Sequence, residues 1–143
     1  MDIKPILLEG NVLKIKQFFV NEMIAHALED DPNECCGILA GNSNEIMKLY
    51  RMTNVAHSPY RYDMDPKELY NTYMEIDDGG WDIMVIYHSH THTPAYPSDT
   101  DIRLATWPDA FYVLISLMDK SAPPVNAFKI VDGVVSEEEI QVL

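Results

Sequence analysis

Cysteine is scarce in this sequence, and its scarcity limits what kind of protein this is. The only cysteines among the 143 residues are Cys35 and Cys36. Adjacent cysteines rarely bond to each other, because the ring that would close is strained, so the pair indicates a reducing compartment. No other cysteines are present to complete a four-cysteine zinc site. We interpret both as small, mostly buried strand residues, with a redox role as the alternative.

Basic residues are also scarce. Ten Lys and Arg stand against 23 Asp and Glu, which gives a formal net charge of −13. This balance argues against a nucleic-acid partner, because a phosphate backbone is bound mainly through Lys and Arg. The acidic surface would attract a basic partner surface, and it equally suits solubility or a saline habitat.

Long apolar runs are missing as well. No stretch approaches the roughly 20 apolar residues of a membrane span, and the N-terminal Met-Asp-Ile-Lys-Pro lacks the basic and then apolar pattern of a signal peptide. We therefore expect a cytoplasmic protein without a membrane partner. An apolar fraction of 47% and the absence of a linker or repeat predict one ordered domain over residues 1–143.

Strand and helix patterns alternate along the chain. Predicted strands cover 12–16, 35–40, 45–53, 82–88, 111–117, 126–131 and 134–142, and predicted helices cover 17–30, 66–78 and 98–106. Gly41-Asn-Ser-Asn44 and Asp132-Gly133 are typical of turns between strands. This order predicts an α/β fold in which helices cover a curved central sheet.

The helix over 66–78 has a well-marked start. Asp65 is the expected N-cap, Pro66 fits the first helical position, and Glu68 is expected to complete a capping box. An apolar stripe on this helix is expected to pack into the core; its members are Leu69, Tyr70, Tyr73 and Met74.

The segment from His88 to Asp101 is the most informative part of the chain. His88 and His90 follow a strand pattern at positions i and i+2, so their side chains point to the same face. Asp101 follows after a proline-containing loop and can supply a third, anionic ligand. Two histidines and one carboxylate leave a fourth tetrahedral position for water, which is the layout of a catalytic zinc. A pair of plain strand-end histidines is the alternative.

Other polar residues near this segment are less specific. His92 continues the i, i+2 series, but Thr93-Pro94 is expected to bend the chain away from the site. Ser98 followed by Asp101 is also a common helix-capping pattern. We interpret Ser89 as orienting the chain, and Asp99 as an acid of the first helical turn.

The combination of His-Ser-His, seven residues and Ser-x-x-Asp resembles the JAMM motif of the MPN+ metallopeptidases. That motif also contains an upstream Glu, which Glu34 matches in Pro32-Asn-Glu-Cys-Cys-Gly. The resemblance covers about residues 12–142 and is strongest to short bacterial enzymes, the CysO–cysteine peptidases. The stretches that carry it are Met52-Thr-Asn-Val-Ala, Val85-Ile-Tyr-His-Ser-His-Thr, Ala95-Tyr-Pro-Ser, Leu104-Ala-Thr, Pro108-Asp-Ala, Tyr112-Val-Leu and Ile130-Val-Asp-Gly.

The resemblance implies a fold and a set of roles. The fold would be the MPN fold, akin to cytidine deaminases, with a curved mixed sheet flanked by helices. One Zn²⁺ per chain would be held by His88, His90 and Asp101. Glu34 would be the general base, and Ser98 would donate a hydrogen bond to the oxyanion. From the residues alone, we interpret His57 as a surface-loop histidine, with substrate contact as the alternative, and His26 as a surface or satisfied core histidine of a helix.

The implied activity is hydrolysis after the C-terminal Gly-Gly of a ubiquitin-like sulfur-carrier protein, with release of cysteine. Segment 59–65 has the tyrosine-rich, strand-like character to line a groove for such a tail, although packing against the helix is an alternative. Two other functions stay open: an isopeptidase that removes ubiquitin-like modifiers from lysine, and a metal-free MPN scaffold.

Overall fold

Seven strands form one mixed sheet in the computed structural model, which describes residues 11–143. The strands are β1 (Val12–Ile15), β2 (Cys36–Asn42), β3 (Glu45–Met52), β4 (Asp82–His90), β5 (Phe111–Ser116), β6 (Val125–Val131) and β7 (Val134–Val142). The helices of this part of the chain are α1 (Gln17–Asp30), α2 (Pro66–Asp78) and α3 (Asp99–Leu104). Every predicted strand and helix is therefore confirmed in type. The N-terminal Met-Asp-Ile-Lys-Pro lies outside the described residues.

The strands lie in the order β1-β7-β6-β5-β4-β2-β3. The β1–β7 and β4–β5 pairs are parallel, and the remaining neighbours are antiparallel. Edge strands β1 and β3 approach each other, so the sheet is strongly curved. The curved mixed sheet expected from the sequence is confirmed. Within residues 11–143, no helix has both the length and the apolar composition needed to cross a bilayer.

Helices α1 and α2 cover opposite faces of the sheet. Strand side chains alternate between faces, so Leu39 of β2 packs on the α1 side, whereas Ile38 packs with Ile76 of α2. On β4, Val85 and Tyr87 belong to the α1 side. Because Ile86 lies on the other face, His88 and His90 share that second face with it.

The boundaries differ from the sequence prediction at several ends. Strand β4 extends through His90 rather than ending at 88, so both histidines are strand residues. The β2–β3 connection is tighter than predicted, with a turn at Ser43 and Asn44, which both have positive φ. Helix α3 ends at Leu104 and not at Thr106, because the backbone N–H groups of Thr106 and Trp107 donate to the Tyr112 hydroxyl.

Two predictions for α2 are wrong: the capping box at its start and the burial of its apolar stripe. The Asp65 carboxylate caps the helix as expected, accepting from the Lys67 and Glu68 backbone N–H groups. Glu68, however, does not complete a capping box; its carboxylate accepts from the backbone N–H and hydroxyl of Thr53 at 2.7 and 2.8 Å.

The apolar stripe of α2 is mostly uncovered. Tyr70 is 64% exposed, Tyr73 is 44% exposed and Met74 is 37% exposed. Leu69 packs partly against the core, and the fully buried residue of the helix is Ile76. Helical spacing correctly identified an apolar face of α2. The sheet covers this face only at Leu69 and leaves the other three side chains exposed.

Gly37 of β2 leaves space for an aromatic side chain of β4 to lie over β2 on the α1 face of the sheet. Gly37 pairs with Tyr87, and a Cβ atom at position 37 would collide with the Tyr87 ring. The ring is fully buried, and its hydroxyl lies 2.7 Å from His26 Nδ1 on α1. Glycine at this position therefore permits the polar contact that joins α1 to the strand carrying the histidines.

We predict that Gly37→Ala lowers the free energy of unfolding by about 1–3 kcal/mol, because the added methyl group must displace a buried ring. Urea denaturation measures the change. The control is Gly79→Ala at the end of α2, where a Cβ meets its nearest atom at an ordinary 3.4 Å. Equal stability of the two variants would show that the Tyr87 ring is free to move.

Candidate metal centre

Three side chains from β4 and α3 converge on one point. His88 Nε2 lies 3.3 Å from His90 Nε2, and Asp101 Oδ2 lies 3.1 and 3.0 Å from these two nitrogens. Among residues 11–143, these three residues form the one group of three or more His, Cys, Asp or Glu side chains that could hold a single metal ion. The donor set of two imidazoles and one carboxylate fits a divalent transition metal with an open coordination position.

Local sequence explains why Asp101 reaches the histidines. Ser98 is the N-cap of α3, and its hydroxyl oxygen accepts from the Asp101 backbone N–H at 3.1 Å. Asp101 Oδ2 accepts in return from the Ser98 backbone N–H at 2.9 Å. This capping box fixes the carboxylate at the start of the helix. The capping pattern is therefore also the device that orients the third ligand.

His90 is held by a hydrogen bond. Its Nδ1 lies 2.9 Å from the carbonyl oxygen of Pro94. A carbonyl can only accept, so Nδ1 must carry the proton and Nε2 keeps its lone pair toward the cluster. The bend at Thr93-Pro94 thus contributes an acceptor for His90, which the sequence prediction missed.

His88 is held differently. Its Nδ1 is buried and has no hydrogen-bond partner among the described residues. Its ring instead lies against the ring of Tyr62, with centroids 4.5 Å apart and an interplanar angle of 30°. Nothing in the local sequence of segment 59–65 indicated this contact.

The electrostatics of the cluster favour a neutral His88 and an ionised Asp101, the forms that bind a metal. Burial lowers the pKa of His88, which favours the neutral imidazole that a metal requires. Burial would also lower the pKa of His90, but its hydrogen bonds to Asp101 and Pro94 raise it. Burial alone would raise the pKa of Asp101; its close contacts with His88 and His90 outweigh this effect and hold the pKa well below its ordinary value.

Glu34 approaches the same point from the segment before β2. It is 4% exposed, and its Oε1 has no hydrogen-bond partner in the described part of the chain. Burial raises the pKa of the Glu34 carboxyl to about 8, with the charges of His90 and Asp101 close enough to influence it. A buried carboxyl with a pKa near neutrality is able to take and return a proton.

The other candidates are placed as the sequence predicted. His92 and His57 are exposed and lie outside the three-ligand cluster. His26 is a satisfied core histidine, between the Tyr87 hydroxyl and Asp30. The Ser89 hydroxyl accepts from the Cys35 backbone N–H at 2.8 Å, which supports its role in orienting the strand.

Both cysteines are buried and free. Burial raises the pKa of the Cys35 thiol to about 12 and also raises that of Cys36. Thiols in this state are poor nucleophiles, because the thiolate is the reactive form. The interpretation as small buried residues is confirmed.

A groove of about 300 Å³ borders the cluster at Asp101. Its lining includes Tyr62, Met64, Leu69, Asp101, Leu104 and Trp107. The groove is mostly apolar, and one of the proposed ligands forms part of its wall. A substrate segment that occupied it would lie next to the metal centre.

Fold and site together define a JAMM-type metallopeptidase, which is a hydrolase. Residues 17–131 match the family of prokaryotic homologs of the JAB domain, and the chain belongs to this family.

The chain is 45% identical over 134 residues to the CysO-cysteine peptidase of Mycobacterium tuberculosis, covering 92% of each protein. It is 35% identical over 103 residues to a desampylase of Haloferax volcanii, covering 67% of this chain and 74% of that protein. The crystal structure of a JAB1/MPN domain protein from Archaeoglobus fulgidus has the same fold, with a TM-score of 0.60 at 16% identity. That match covers 91% of this chain and 98% of the other, and it confirms the MPN fold.

We predict that the purified protein binds one Zn²⁺ and that His88→Ala/His90→Ala binds none, because the variant removes two of three converging ligands. Metal analysis after zinc loading and gel filtration measures the difference. His57→Ala/His92→Ala is the matched control, since it removes two exposed histidines, and it should keep the metal. Full zinc retention by the His88/His90 variant would refute the ligand assignment.

Proposed function

We propose that this protein is a zinc-dependent peptidase that hydrolyses the bond after the C-terminal Gly-Gly of a ubiquitin-like sulfur carrier and releases cysteine. The observation that carries the proposal is the 45% identity, over 92% of both chains, to an enzyme named a CysO-cysteine peptidase. The convergence of His88, His90 and Asp101 beside an apolar groove supports it. The proposal treats residues 1–143 as a single catalytic domain.

In this proposal His88, His90 and Asp101 bind one Zn²⁺ per chain. The chemistry of the donor set supports zinc, because two imidazoles and one carboxylate are the ligands of several catalytic zinc sites. When bound, zinc acts as a Lewis acid that activates water and polarises the scissile carbonyl.

Glu34 serves as the general base and then as the general acid. Its unpartnered Oε1 takes the proton of the attacking water and passes it to the leaving amine of the released amino acid. The pKa raised toward neutrality supports both steps, because such a carboxyl can exchange a proton near neutral pH, which an ordinary carboxylate does poorly.

Ser98 stabilises the negative charge that develops on the carbonyl oxygen of the substrate. Its hydroxyl oxygen already accepts from the Asp101 backbone N–H, so its own proton remains available for donation. Ser98 is exposed at the start of α3. One serine thus combines the capping of α3 with the oxyanion contact.

The groove supports a narrow, extended substrate. Residues 61–64, Leu104 and Trp107 all contribute to its lining. Gly-Gly has no side chains to prevent close approach to the ligands, so we expect bulkier residues at those two positions to be poor substrates. Segment 59–65 contacts the Gly-Gly tail in this function.

The remaining expectations follow from charge and from the thiols. A net charge of −13 supports a protein partner with a basic surface, and neither nucleic acid nor membrane. Two free buried cysteines agree with a cytoplasmic location.

One other function has a specific observation in its favour. The relative from Haloferax volcanii, at 35% identity, is named a desampylase. An isopeptidase that cleaves ubiquitin-like modifiers from lysine would use the same metal ligands and the same base. The two functions differ only in the amine that leaves.

We predict that Glu34→Gln keeps zinc and fold but slows hydrolysis by roughly 10²–10⁴-fold, because the amide cannot accept the proton. Turnover of a carrier ending in Gly-Gly-Cys, normalised to zinc content, measures the effect. Glu45→Gln, at an exposed acid of the β2–β3 hairpin, is the control and should turn over like the wild type. Normal turnover by Glu34→Gln would show that another group is the base.

We predict that a carrier ending in Gly-Gly-Cys releases free cysteine, whereas the same carrier ending in Ala-Val-Cys does not. A lysine-linked isopeptide of the carrier is the third substrate. Mass spectrometry of the products distinguishes the outcomes. Equal cleavage of all three would indicate an unspecific peptidase, and cleavage of the isopeptide alone would favour the isopeptidase function.

A further inference from the structure

The two histidine ligands are oriented by different forces. His90 donates a hydrogen bond from Nδ1 to the Pro94 carbonyl, which fixes both its tautomer and its ring plane. His88 Nδ1 is buried without a partner in the described residues, so no hydrogen bond fixes that ring in the same way. The ring of Tyr62, at a centroid distance of 4.5 Å, is what lies against its face.

Tyr62 belongs to an irregular loop, and an irregular loop needs its own support to hold a ring in place. The loop runs from the end of β3 to the start of α2 and contains one isolated bridge, between Asn54 and Met64. Tyr62 packs partly against the core on the α2 side of the sheet. Its position is therefore set by the loop backbone on either side of it.

Asn54 holds that backbone. Its side chain is buried, and its Nδ2 donates to the carbonyl oxygens of Glu34 and Arg61 at 3.0 and 3.1 Å. Its Oδ1 accepts from the backbone N–H groups of Ala56 and Asp63 at 3.0 and 2.9 Å. These four bonds use the full capacity of the amide.

The Asn54 amide forms hydrogen bonds with the backbone of both chain neighbours of Tyr62, Arg61 and Asp63. It also forms one with the backbone of Glu34. One buried amide thus connects the loop that carries the stacking ring to the segment that carries the general base. A fully satisfied buried network of this kind is rigid, because each lost bond leaves a buried polar group unpaired.

We propose that Tyr62 and Asn54 are positioning residues of the metal centre. Tyr62 fixes the ring of His88 by stacking, in place of the hydrogen bond that His90 has. Asn54 fixes Tyr62 and holds the backbone of Glu34 at the same time. The inference rests on the assignment of His88, His90 and Asp101 as ligands, and it does not depend on which substrate is cleaved.

The first experiment compares the effects on Zn²⁺ affinity of substitutions at Tyr62 and at Tyr60. Tyr62→Leu should lower Zn²⁺ affinity by roughly 10–100-fold, as expected when the outer support of a ligand is removed. Tyr62→Phe keeps the ring and should restore affinity to within about threefold of the wild type. The matched control is Tyr60→Leu, because Tyr60 is 78% exposed and its ring lies 6.1 Å from that of His92, which is not a ligand.

Two readouts separate positioning from general loss of structure. Competition with a chromophoric chelator gives the Zn²⁺ affinity, and the visible absorption of the Co²⁺-loaded protein reports the ligand geometry. We expect an altered Co²⁺ spectrum for Tyr62→Leu and an unaltered one for Tyr62→Phe and Tyr60→Leu. Circular dichroism checks the fold, and Tyr62→Met replaces Tyr62→Leu if the latter does not fold.

The second experiment is a double-mutant cycle on Zn²⁺ affinity. If Asn54 acts on the metal through Tyr62, then Asn54→Ala should weaken zinc binding in the wild type and much less in Tyr62→Leu. Asn54→Ser, whose hydroxyl retains part of the hydrogen bonding, should give an intermediate loss and provides a folded variant if Asn54→Ala is unstable.

Each of the two assigned roles, that of Tyr62 and that of Asn54, has a result that would contradict it. Wild-type zinc affinity and an unchanged Co²⁺ spectrum in Tyr62→Leu would show that stacking does not position His88. Additive losses in the cycle would show that Asn54 does not act through Tyr62. Because no substrate enters these measurements, they remain valid if the protein fails to release cysteine, and they fail separately from the proposed function.

Discussion

The two-residue period of strand β4 is the constraint on which the site depends. Tyr87 and Ser89 face α1 and the loop before β2, where they bind His26 and the Cys35 backbone. His88 and His90 face the opposite side, where the groove and α3 lie. A shift of one residue in the pairing of β4 with β2 or β5 would exchange these sets and place both imidazoles in the core. The register that builds the core therefore also builds the metal centre.

The sequence predicted the parts of the site that are local. The His88–His90 pair follows from strand alternation, and the Ser98–Asp101 pair follows from helix capping, so both are visible within a few residues. Glu34 was identified by resemblance alone, because it lies in a distant segment before β2 and is one of several acids there. Its burial is a property of the folded chain.

The sequence did not predict contacts that depend on how distant segments meet. Tyr62 and Asn54 belong to an irregular loop whose shape is set by hydrogen bonds to Glu34 and to the loop itself. Glu68 had an equally good local partner at the helix start, but the backbone of Thr53 competes for it. The Tyr70–Met74 stripe has helical spacing, and spacing does not tell whether a face is covered.

The three proposed ligands differ in how firmly the fold holds them. On the central strand β4, His88 is paired with both β2 and β5, and His90 is paired with Ser116 of β5. Asp101 instead lies on a helix of six residues that begins with a single capping box. Opening of a short helix terminus requires far less free energy than separation of central strands. Exchange of a bound ion with solution is therefore expected to proceed by detachment of the carboxylate, and its rate would be governed by fraying of α3 rather than by any motion of the sheet.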